Sequence, residues 1–158
     1  MELFKRIVHP TDFSSASDAA LELALTLTNE YDGELILLHV LDDPHLSEEE
    51  DRCTAAKKQA MARLEELQRR CDGVRCRFAV EVGPAAQTIV WYAWTENADL
   101  IVMGTHGATG LKHTYIGSVA EKVIRRARCP VLVIRPSSPN EPPPERPEFG
   151  YTYPEWFM

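Results

Sequence analysis

The chain has 158 residues, 44% of them hydrophobic, and a formal net charge of −7. That length supports one domain with its own core, and the negative balance speaks against nucleic acid or an anionic membrane as partner. No apolar run is long enough to span a membrane.

Met1-Glu2-Leu3-Phe4-Lys5-Arg6 leads directly into a strand pattern, so no secretory signal is expected and a cytoplasmic location is. Arg6 to Pro10 is the first strand, with Pro10 ending its pairing. Thr11-Asp12-Phe13-Ser14 reads as a turn, and Ser14 as the N-cap of a helix to about Tyr31, with Leu21, Ala24, Leu25 and Thr28 on one face. Asp32-Gly33 closes it. Glu34 to Leu41 is a second strand, apolar enough from Leu35 to Leu38 to be covered on both faces. Ser47-Glu48-Glu49-Glu50 has the form of a capping box and predicts a charged helix to roughly Arg70, with Ala60, Leu64 and Leu67 inward. Cys76 to Val82 alternates as a third strand, and Gly83-Pro84 turns the chain. A helix then runs from Ala85 to about Asn97, with Ile89, Val90, Ala93 and Trp94 inward. Leu100 to Met103 is a fourth strand. A last helix is predicted over Ser118 to Arg128, with Val119, Val123, Ile124 and Ala127 inward, before a fifth strand, Val131 to Ile134. The four cysteines (Cys53, Cys71, Cys76, Cys129) lack zinc-ligand spacing and read as free thiols. This β-α alternation predicts a parallel sheet with helices on both faces, its strand order left open.

The composition divides the chain into a domain, residues 1–135, and a tail, residues 136–158. The tail holds seven of the eleven prolines and five aromatics, with four Glu and one Arg. Its proline half cannot form helix or central strand. Five aromatics in nine residues are unusual for a purely solvating end, so Phe149–Phe157 is expected to dock on the domain or on a partner subunit.

Half of the eight glycines lie between Gly104 and Gly117. Gly104, Gly107 and the pair Gly117-Ser118 follow a strand and lead into a helix. That arrangement suits a phosphate cradle: glycine lets backbone amides approach an anion, and the first helical turn offers unpaired N–H groups with a favourable dipole. The same glycines also fit ordinary turn chemistry. There is no Walker P-loop motif, and the loop comes too late in the chain for a dinucleotide fingerprint. Asp12 and Ser118 each read equally as a helix cap. His106 reads as a loop-packing residue before a general base, and Lys112 and His113 as polyphosphate-steering or solvated groups.

By its motifs the chain resembles the universal stress proteins of the UspA type. The resemblance rests on Ile7-Val8-His9-Pro10-Thr11-Asp12-Phe13-Ser14, Leu38-His39-Val40, Ile101 to Leu111, Gly117-Ser118-Val119-Ala120-Glu121-Lys122-Val123 and Cys129-Pro130-Val131-Leu132-Val133-Ile134. It implies a Rossmann-like α/β fold, an open five-stranded parallel sheet of order 3-2-1-4-5, and a homodimer through the last strands, Val131, Leu132, Val133 and Ile134. The intact G-2x-G-9x-G-[ST] pattern goes with the ATP-binding members. Carried over, Asp12 would hold the ribose hydroxyls and Val40 would meet the adenine edge beside Met103. Gly104 would lie at the ribose, and Gly107, Gly117, Ser118 and Val119 at the phosphates. Pro10, Thr11 and His106 complete the implied site. Mg²⁺ would arrive with the nucleotide, and Ala120 stands where some relatives carry a hydroxyl.

The expected function is an ATP-binding, homodimeric stress-response or regulatory protein with at most slow hydrolysis. Two alternatives stand beside it: an interaction module that acts through its dimer surface and tail, and a nucleotide-using enzyme of the same fold. No positioned base, carboxylate pair or metal cluster supports the latter.

Overall fold

The computed structural model describes residues 3–105, 116–136 and 142–143. Five strands, β1 (Arg6–Pro10), β2 (Glu34–Leu41), β3 (Arg75–Val82), β4 (Leu100–Gly104) and β5 (Val131–Ile134), alternate with α1 (Ser15–Glu30), α2 (Glu50–Gln68), α3 (Ala85–Thr95) and α4 (Ser118–Arg126). The strands form one parallel sheet in the order β3-β2-β1-β4-β5, as the resemblance implied.

Alternation along the strands sends successive side chains to opposite faces. Ile7, Leu35, Leu37, Leu100 and Val102 pack with Ala20, Leu21 and Ala24 of α1 and Leu64 of α2. Val8, Ile36, Leu38, Ile101 and Met103 pack with Ile89 and Ala93 of α3 and Ala120 and Val123 of α4. Leu35 to Leu38 are wholly buried, so β2 is covered on both faces as its apolar run predicted.

α1 starts as expected: Ser14 is its N-cap and accepts from the Ser17 N–H. It ends where Asp32 takes a left-handed φ of 48° and Gly33 donates to the Thr28 carbonyl. A Cβ on Gly33 would lie 2.7 Å from the Phe4 carbonyl oxygen, so the chain can re-enter the sheet there only as glycine.

Three expectations need correction. The capping box does not form, because Pro44–Ser47 makes a 3-10 turn in which the Ser47 hydroxyl donates to the Pro44 carbonyl. α2 therefore begins at Glu50, with no side-chain cap. On α3, Trp94 faces outward at 58% exposure and Tyr92 is buried in its place. On α4, Ile124 is exposed and Ala120 is buried, since the helix ends at Arg126 and turns its smallest residue to the sheet.

Candidate functional site

β1 and β4 are adjacent and parallel, but their chains leave the sheet to opposite faces, β1 into α1 and β4 into α4. Such a switch point leaves a crevice at the C-terminal ends of the strands. A cavity of about 330 Å³ lies there, within the range of small-molecule sites. It gathers nine of the predicted site residues: Pro10, Thr11, Asp12, Val40, Met103, Gly104, Gly117, Ser118 and Val119. His106, Gly107, Lys112 and His113 lie outside the described residues.

The loop after β1 is fixed by its own polar groups. The Thr11 N–H donates to the Leu38 carbonyl at 2.8 Å. The Thr11 hydroxyl oxygen accepts from the Phe13 N–H at 3.0 Å and from the Ser17 hydroxyl at 2.7 Å. His39 Nδ1–H donates to the Thr11 carbonyl at 2.7 Å. Phe13 is held at a left-handed φ of 63°, a conformation that costs a non-glycine residue about 1–3 kcal/mol. Its ring lies 4.6 Å from that of His39 and 3.9 Å from the Arg63 guanidinium, contacts that keep it there.

Asp12 is exposed at the end of this loop, and its Oδ1 accepts from the Ser14 N–H at 3.0 Å. It is not the cap of α1, because Ser14 fills that position. Beneath the loop, His9 is fully buried and its Nδ1–H donates to the Val102 carbonyl at 2.8 Å. Burial pushes its pKa down to about 4, and its Nε2 meets no hydrogen-bond partner among the described residues.

Across the cavity, α4 begins differently. Gly117 is its N-cap, with extended backbone and no side-chain cap. The Gly117 N–H donates to the Thr105 carbonyl at 2.6 Å, and the Gly117 carbonyl accepts from Glu121 at 3.0 Å. The amides of Ser118, Val119 and Ala120 thus precede the first helical hydrogen bond and have no acceptor within the helix. Ser118 is the first helical residue and not the cap.

Gly104 contributes bare backbone. A Cβ there would lie 2.7 Å from the Ala16 carbonyl carbon and 2.8 Å from its oxygen. The missing side chain lets the first turn of α1 press against the end of β4.

Sequence reading missed five lining residues, Ser17, Leu38, Ala85, Ile89 and Thr105, while Ala120, noted there for the hydroxyl it lacks, lines the cavity as well. Leu38 was within reach of the period-two rule, since it shares a face with Val40. Ala85 and Ile89, four apart on α3, carried no signal beyond an ordinary core stripe. Leu38, Val40, Ile89 and Met103 make an apolar floor, whereas Thr11, Asp12 and Ser17 make a polar wall. Asp12 is the lone titratable side chain of the described lining. An anion here would be met by main-chain amides rather than by a cationic side chain of that lining.

Residues 3–135 match the Universal stress protein family. The chain belongs to the universal stress protein family. Universal stress protein MJ0531 of Methanocaldococcus jannaschii is 37% identical over 141 residues, which span 84% of this chain and 83% of that protein. The solved structure of MJ0577, described as a hypothetical protein in a structural-genomics test case, superposes with a TM-score of 0.74 at 32% identity, covering 86% of this chain and 99% of that one. A universal stress protein from Archaeoglobus fulgidus, solved in complex with dAMP, superposes with a TM-score of 0.62 at 23% identity, covering 84% of this chain and 98% of that one. At that last identity the likeness carries the fold alone. No helix among the described residues is long and apolar enough to cross a membrane.

Proposed function

We propose that the cavity binds ATP and that the chain works as a cytoplasmic, homodimeric, nucleotide-binding regulator of the stress response, with hydrolysis slow or absent. The observation that carries this reading is the uncapped first turn of α4 at an apolar-floored cavity. Open amides and the positive end of a helix dipole suit a polyphosphate. The aliphatic floor of Leu38, Val40, Ile89 and Met103 suits a flat purine, and the Asp12 carboxylate at the end of β1 suits the ribose hydroxyls. The universal stress protein from Archaeoglobus fulgidus was solved in complex with dAMP, which supports an adenine nucleotide as the ligand in this reading. The roles assigned to Pro10, Thr11, Gly104, His106, Gly107, Gly117, Ser118 and Val119 belong to the same proposal.

The donor set also fits Mg²⁺ in a limited way. Asp12 supplies the one carboxylate of the described lining and Ser118 a hydroxyl at the start of α4, while Ala120 supplies no oxygen donor. The ion would be held chiefly by phosphate oxygens and water; bound there, it would neutralise phosphate charge that no cation of the described lining meets.

For the dimer, β5 pairs with β4 along one edge, and Leu132 is 37% exposed. An apolar edge strand is a template for another strand, and a second copy's Val131–Ile134 in antiparallel pairing would cover it. Sedimentation should give twice the chain mass.

The deciding experiment is to purify the protein without added nucleotide, denature it and identify what is released. Bound adenine nucleotide and micromolar or tighter ATP affinity by calorimetry are expected. Gly117→Val should abolish binding and leave the dimer intact. Empty protein with no measurable ATP affinity would overturn the reading.

A further inference from the structure

α3 carries a second surface that the nucleotide reading does not use. Val90, Trp91 and Trp94 line a groove of about 340 Å³, rimmed by Gln87, Arg126 and Arg128. Trp91 is 52% exposed and Trp94 58%. The groove continues past Val90, Trp94 and Arg128 into a second hollow of about 260 Å³ that reaches Cys129. Two large aromatics bared side by side on a helix mark a docking surface. The electrostatics have one sign: the ion pair of α4 joins Glu121 to Arg125, while Arg126 and Arg128 enter no ion pair among the described residues. The Arg128 guanidinium sits 5.9 Å from the Trp94 ring centre.

We infer that this groove is the docking site of the chain's own tail, with Phe149–Phe157 laid along Trp91 and Trp94 and Glu148 and Glu155 facing Arg126 and Arg128. The complementarity is chemical: the segment from Glu148 to Phe157 holds five aromatics and two carboxylates and no basic residue, whereas the groove offers two indoles and two guanidinium groups. Aromatic pairs attract through edge-to-face and offset contacts beyond the area they bury. The reach is sufficient. α3 and α4 share one face of the sheet, and β5 follows α4 at once. A proline-rich spacer advances about 3.1 Å per residue, so the thirteen residues from Pro136 to Glu148 span roughly 40 Å, well beyond the radius of gyration of about 14 Å expected for a domain of this size. Pro142 and Pro143 are exposed, as a spacer should be.

The test uses the full chain. Chymotrypsin should cut after Phe149 and Tyr151 at least ten times more slowly in the native protein than in the double variant W91A/W94A. The charge-reversed variant R126E/R128E, which leaves both indoles in place, should also lose protection. As an independent readout, W156F leaves Trp91 and Trp94 as the remaining tryptophans of three. Replacing Phe149, Tyr151, Tyr153 and Phe157 by Ser in that background should at least double acrylamide quenching. Equal cleavage in native and variant chains, or unchanged quenching, would overturn the assignment. So would protection that grows with protein concentration, which would place a second copy's tail in the groove.

Discussion

Of the helices that begin beside the cavity, α1 and α4 begin in opposite ways. α1 is closed: Ser14 accepts the Ser17 amide, Asp12 accepts the Ser14 amide, and Thr11 ties down both Phe13 and Ser17. α4 is open, capped by a glycine that offers no side-chain acceptor. A side-chain cap contributes about 1 kcal/mol. The fold uses that contribution at α1 and forgoes it at α4, whose first residues line the cavity. The contrast teaches that, of these two helices, the one with the weaker start is the one whose first amides remain open at the cavity.

Closing the open helix should have the largest effect. Gly117→Asp supplies the missing acceptor and a negative charge, so ATP affinity should fall at least 100-fold while the urea midpoint holds or rises. Calorimetry and urea unfolding check the two halves, and unchanged affinity would end the contrast.

The second effect comes from His9, which shares the space under the first turn of α1 with Ser14 and Ser17. Its pKa lies at about 4 when folded, against an ordinary 6.5. The unfolded chain therefore takes up the proton first, and stability is lost as pH falls from about 6.5 towards 4. Between pH 7 and pH 5 the loss should be about 2 kcal/mol. It should be much reduced in His9→Gln, as measured by urea unfolding at each pH. An equally steep loss in that variant would assign the effect elsewhere.

Smaller changes sharpen the comparison. Asp12→Ala should weaken ATP about tenfold, the worth of a charge-assisted hydrogen bond in a wet site, with little change in folding. Ser14→Ala should do the reverse, costing about 1 kcal/mol of stability and moving ATP affinity by less than about threefold. A Ser14→Ala variant that binds ATP much more weakly would mean that the closed helix also serves the ligand.

The strands were legible because their apolar runs are bounded by glycine, proline and aspartate, and the start of α1 because Ser14 precedes a clean apolar period. Strand order came from the family resemblance, since nothing local to Val8 says that Ile101 will lie beside it. The capping box misled because Pro44 captures the hydroxyl the box required. Trp94 misled because α3 is apolar on two faces, so periodicity could not choose the inward one. In the cavity, Asp12 and the glycines stood out by type. Ile89, Ala85 and Thr105 are ordinary residues whose place at the site is decided by the packing of α3 and the end of β4.

The pairing of β1 with β4 brings together residues such as His9 and Val102 that lie 93 positions apart in the chain. Contacts of such separation form late, because a long loop must close before they reward the chain. The hollow between those strands cannot exist in a half-assembled molecule. Whatever settles there acts as a seal on a finished fold, stabilising it in proportion to the logarithm of its own concentration, so the abundance of intact protein would follow the supply of its ligand.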